Sequence, residues 1–206
     1  MKERILFFSF GLLLLTLGVG LIIQSGLGAS AWDALAVGES NMFGITVGTC
    51  VFINGVILII LNSFLLKKKP EILAAVTILV IGALIDFWLL IVLQPFVPTN
   101  IVFQFVYLIS GILAMGVGVA IYLQAKFPAS PMDTLMVAIH QRFGLNLRNA
   151  RIVSEGFALT LAFLFKGAIG IGTIIVTLTL GLVVQLSFPY FEQLIQKMSR
   201  EQIVKS

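Results

Sequence analysis

Apolar residues along this chain of 206 come in long runs separated by short polar segments. Six runs, roughly Ile5–Ile23, Ile45–Leu66, Ile72–Leu93, Ile101–Leu123, Leu147–Phe165 and Ile169–Phe188, approach the ~20 residues with which a helix crosses ~30 Å of hydrocarbon. Lipid offers the backbone no hydrogen-bond partners, so each run is expected to be a helix, and no ten-residue alternation favours a barrel. Two stretches, about 31–42 and 131–143, are too short to cross and are expected as short broken helices, interfacial or re-entrant.

Self-similarity organises these runs. At an offset of one hundred, Gly11, Gly18, Gln24, Ala29, Ser30, Asp33, Leu35, Phe43 and Gly44 meet Gly111, Gly118, Gln124, Ala129, Ser130, Asp133, Leu135, Phe143 and Gly144. After a one-residue slip, Gly82 meets Gly181 and Asp86 meets Gln185. Residues 1–98 therefore form one three-span repeat, 99–190 a second, and 191–206 a cytoplasmic tail. Three is odd, so the second half should enter the membrane with opposite polarity, as in secondary transporters whose site lies where two inverted halves meet. The expected fold is all-α: a polytopic membrane protein of six transmembrane helices as an inverted 3+3 repeat, with a short helix in each half.

Composition agrees with lipid as the main solvent. Hydrophobic residues make up 59% and charged residues only 11%, against ~25% charged in soluble proteins, and mean hydropathy is +1.11. These values exclude a soluble enzyme, a disulfide scaffold and a disordered chain, and the single Cys50 permits no internal disulfide. A formal charge of +4 would suit nucleic acid, but the basic residues mark topology instead. Lys2, Arg4, Lys67, Lys68, Lys69, Lys126, Arg142, Arg148, Arg151, Lys197, Arg200 and Lys205 all fall on one face if the N-terminus is inside, leaving Lys166 alone on the other. Short cytoplasmic loops hold Lys and Arg in this way, so both termini are expected inside. Lys2, Arg4 and Ala29-Ser30-Ala31 also have the order of a secretory signal, but the apolar stretch is long for one and the supposed cleavage site recurs a hundred residues on.

Candidate chemistry sits at the short helices and inside the spans. Ser30 with Asp33, and Ser130 with Asp133, have the capping-box spacing, in which the Ser accepts an amide of the first turn and the acid returns toward the N-cap amide. Pro131 suits the first helical position, and Gly26, Gly28 and Pro128 break the preceding spans. Two half-helix N-termini approaching the midplane from opposite faces could hold a substrate or coupling ion, with the acids favouring a cationic or zwitterionic group or a proton. Charges within spans are costly and mark function by default, which adds Asp86 and the i, i+4 pair Arg151 and Glu155. Arg148 can snorkel, the lone His140 suits the surface, and Trp32 and Trp88 suit interface or packing roles. No spacing suggests a metal site, a cofactor or a hydrolytic triad, so an enzyme is not expected.

These residues resemble the YczE/YyaS/YitT group of bacterial integral membrane proteins, particularly its YczE-like branch, over nearly the whole chain. Gly28-Ala29-Ser30-Ala31-Trp32-Asp33 is similar to that group's G-x-S-P-W-D, with Ala31 in place of Pro, and Asp86 matches the acid closing its first half. Ser130 to Met136 is similar to G-P-R-D-G-L-M, departing at Met132 and Thr134; Arg142, Gly144, Arg148, Arg151 and Glu155 fall on its R-T-G-x-S and R-x-x-x-E positions. Gly170 to Thr173 and Gly181 to Gln185 resemble its G-x-G-T and G-P-x-x-Q, with Leu182 replacing Pro. The resemblance implies a multi-pass protein of the bacterial plasma (inner) membrane. The expected function is a secondary transporter of a small polar or amphipathic metabolite, with the lipid bilayer, an unknown small-molecule substrate and a second copy of the chain in a homo-oligomer as candidate partners. A non-transporting membrane scaffold or accessory subunit is the alternative.

Overall fold

The computed structural model describes residues 2–127 and 130–205; Pro128 and Ala129, used above as a helix breaker and a repeat position, lie outside the described residues. The described residues form helices throughout: α1 Lys2–Gln24, α2 Ala31–Phe43, α3 Val47–Leu66, α4 Ile72–Phe87 continuing as a π turn at Trp88–Val92, α5 Ile101–Leu123, α6 Pro131–Phe143, α7 Leu147–Leu164 and α8 Ile171–Lys205. Each short helix starts and stops where the two repeats predict. Gly44 and Gly144 end α2 and α6 in the same left-handed conformation, φ 69°, which costs glycine least.

Five helices are long and apolar enough to cross a membrane: α1, α3, α4 with its π turn, α5 and α8. The expected fifth run is a helix, α7, but Arg148, Arg151 and Glu155 within its first three turns separate it from the five. The helix of the sixth run, α8, continues past Pro189 to Lys205 and so takes in most of 191–206, the stretch expected as a cytoplasmic tail. Many apolar side chains point outward, with Phe64, Ile72, Phe163 and Leu186 each more than three-quarters exposed, the inverse of a water-soluble core.

The centre is a crossing of α1 and α5, the first long helices of the two repeats. A Cβ added at Gly18 would lie 2.6 Å from the Gly111 carbonyl oxygen, and one at Gly118 2.8 Å from that of Gly11. Glycine at these four repeat-related positions lets the backbones touch, as small residues do between membrane helices. Around this crossing α2 packs on α7 and α3, while α6 packs on α3 and α7. Each short helix thus lies against the long helix that follows it and against its counterpart in the other half. Burial repeats as well: Leu12 and Ile112, Leu35 and Leu135, Cys50 and Ala150, and Leu58 and Ala158 are all buried.

Candidate functional site

The two short helices begin alike. The Ser30 hydroxyl accepts from the Asp33 amide at 3.4 Å and donates to the Asp33 carboxylate at 2.5 Å; at Ser130 and Asp133 the same bonds are 3.2 and 2.8 Å. The N-caps form as the spacing predicts, but each acid bonds the serine hydroxyl rather than returning to the N-cap amide. Asp is one methylene shorter than the Glu of a full capping box, so its carboxylate stays beside the serine.

A cavity of about 650 Å³ lies between the halves. Its wall is built from repeat-related positions: Leu15 with Met115, Val19 with Val119, Ser30 with Ser130, Asp33 with Asp133 and, after the slip, Ile81 with Leu180 and Ile85 with Val184. Apolar side chains from α1, α4, α5 and α8 form most of the surface. The polar groups gather where the short helices begin and where α7 passes, as in small-molecule sites with apolar walls and a few convergent polar groups.

Six of the seven residues singled out from sequence line this one cavity: Ser30, Asp33, Ser130, Asp133, Arg151 and Glu155. Arg151 Nε donates to Glu155 Oε1 at 2.8 Å, the ion pair predicted from the i, i+4 spacing. Asp133 also accepts a long hydrogen bond, 3.4 Å, from the buried Tyr122 hydroxyl of α5. On α2, outside the five long apolar helices, desolvation raises the Asp33 carboxyl to about 6, with the hydrogen bond from Ser30 pulling the other way. Among the described residues, no His, Cys, Asp and Glu side chains group in threes or more to hold a metal ion.

Asp86 lies elsewhere. From α4 its carboxylate accepts from the Gly48 amide at 2.7 Å and the Thr46 hydroxyl at 2.6 Å, so it caps the N-terminus of α3. Trp88, expected as an anchor or packing residue, donates its indole N–H to Thr16 at 3.0 Å.

Sequence reasoning passed over several polar residues that hold the cavity's frame. Asn54 on α3 donates to Glu39 of α2 at 2.6 Å, and Asn62 donates to the Pro131 carbonyl at the start of α6 at 2.8 Å. Both asparagines are buried. A polar residue within an apolar run is costly, and that cost was the available signal. Tyr122 carried none, because an aromatic residue near a span end reads equally well as an interface anchor.

Fold and cavity together define a polytopic α-helical membrane protein. The chain belongs to the family of unknown function DUF6198, whose model matches residues 2–189. It is 36% identical over 190 residues to the uncharacterized protein YyaS of Bacillus subtilis, covering 92% of this chain and 94% of that protein. To the uncharacterized membrane protein YczE of the same organism it is 34% identical over 192 residues, covering 92% and 87%. An uncharacterized protein of Haemophilus influenzae is 33% identical over 177 residues, covering 85% and 79%. No solved structure matches the chain.

Proposed function

We propose that this protein is a secondary transporter of a small amphipathic solute, built as six spans in an inverted 3+3 repeat and set in a bacterial inner membrane with both termini cytoplasmic. One observation carries the reading: the cavity lies between the repeats and is lined by the same positions from each, where transporters of this architecture place their site. On this reading α7 is the sixth span. Arg151 and Glu155 favour that assignment, because both line the cavity and pair with each other there. The clustering of basic residues on one side supports the orientation.

The cavity also bears on the solute. Its broad apolar wall suits a hydrocarbon or aromatic body. Asp33, Asp133 and Glu155 outnumber the single Arg151, so the polar end of the solute carries donors or positive charge.

The test compares the solutes retained or lost by cells with and without the protein, then measures flux of the identified solute in vesicles. Glu155→Gln and Asp33→Asn should leave a monodisperse protein and lower apparent affinity roughly tenfold or more, the loss of one charge-assisted contact of ~1.5–3 kcal/mol. No solute difference, or wild-type flux in both variants, rejects transport through this cavity and returns the protein to the scaffold class.

A further inference from the structure

The halves match in sequence position and burial but not in how their last two helices meet. In the first half α3 packs along α4. A Cβ at Gly82 would lie 2.5 Å from the Gly48 carbonyl oxygen, and Asp86 reaches across to Gly48 and Thr46. In the second half the corresponding helices α7 and α8 stand apart, and α8 lies along α5 instead. Gly181, the counterpart of Gly82, has nothing within 4 Å of its would-be Cβ, and Gln185, the counterpart of Asp86, is exposed at the cavity wall. The cavity therefore opens between α7 and α8, at the end away from their connecting turn. The matching end between α3 and α4 is shut.

We propose that these two helix pairs are the two gates of the cavity, and that the structure holds the α3–α4 gate latched by Asp86 and the α7–α8 gate open. In the alternate state α8 leaves α5 and closes on α7, while α4 leaves α3 and packs more fully on α1, which it already touches. The counterpart residues suit that exchange. The empty space at Gly181 leaves room for Arg148, the larger counterpart of Gly48. Gln185 has an amide oxygen that can accept from the first turn of α7, as Asp86 does from α3. Both moving helices are also irregular at the same repeat position: α4 gives way to a π turn at Trp88–Val92, and α8 carries Pro189, which leaves the Gln185 carbonyl without its usual helical donor. Such breaks are where helices bend.

This inference rests on the transport reading for its purpose, but its test needs no solute. In a Cys50→Ala background in lipid vesicles, spin labels are placed at the exposed, repeat-related pairs Ile53 with Phe87 and Val153 with Leu186. Distances between them are measured by pulsed electron resonance in wild type, Asp86→Asn and Thr46→Ala. Thr46→Ala removes one latch bond, together with the N-cap bond that Thr46 accepts from the Thr49 amide, and keeps the Gly48 bond, so it is the milder variant if Asp86→Asn proves too severe. Releasing the latch should lengthen the first distance by about half a helix diameter, ~5 Å, and shorten the second in the same molecules. Minor populations in wild type should show the same reciprocity. A first distance that lengthens while the second stays put would make Asp86 a helix cap only and overturn the gates, as would distances unchanged in all three proteins. Reciprocal motion without flux rejects the transport reading alone; flux without reciprocal motion rejects the gates alone.

Discussion

Ser30 and Ser130 each do two things at once: the hydroxyl oxygen closes the first turn of a short helix, and its hydrogen orients a carboxylate at the cavity. Removing the hydroxyl therefore has a stability cost and a functional one. Ser130→Ala should lower unfolding stability by about 1 kcal/mol, the usual worth of an N-cap, while Ser130→Thr, which keeps an oxygen there, should lose less. Thermal unfolding in detergent checks the order. Asp33 adds a pH dependence. Its folded-state carboxyl titrates near 6 against an ordinary 3.8, so the stability it lends is fully present below about 3.8 and is lost as pH rises through about 6. The unfolding temperature of Asp33→Asn relative to wild type should therefore climb between pH 5 and pH 7.5; a constant difference would place the carboxyl in ordinary solvent. Glu155→Gln differs again. Its pair with Arg151 is partly exposed, so the substitution should change stability by less than ~1 kcal/mol.

Among elements, the α1–α5 crossing is where side-chain volume matters most. Gly18→Val would drive methyl groups into the α5 backbone near Gly111, and neither helix can yield without moving the cavity wall it carries. Overpacking of this kind costs ~1–3 kcal/mol, more where only backbone faces it, so folded yield should fall sharply. Gly156→Ala on α7 is the control. Nothing lies within 4 Å of the added Cβ, and the gain in helix propensity should leave yield equal or higher. Equal yields for the two variants would mean that the α1–α5 contact is looser than described.

For the whole molecule, the proposed inversion of the second repeat makes a topological prediction. With Cys50→Ala, whose new residue matches the buried Ala150 of the other half, single cysteines at the exposed Asn41 and Gln141 should react with an impermeant thiol reagent from opposite faces. Labelling from the same face rejects the inversion. These two residues occupy equivalent places at the ends of α2 and α6, so no other difference between them would explain opposite labelling.

What could be read from the chain by itself was local or periodic. Run lengths located the long helices, because hydrocarbon thickness dictates how many apolar residues a span needs. The S-x-x-D spacing placed the starts of both short helices, because an N-cap depends on few neighbouring residues. The hundred-residue offset paired positions that turn out to face one another across the cavity, since helices with equal burial patterns turn equal faces inward. Asp86 shows where this ends. A carboxylate within an apolar run must have a partner, but whether that partner is a solute, a proton or the end of another helix depends on which helix lies alongside. Only the tertiary structure supplied Thr46 and Gly48 as that partner, and only it could show α3 shut on α4 while α7 stands clear of α8. The repeat-related positions carry no record of that difference in packing, because it rests on contacts between segments thirty or more residues apart.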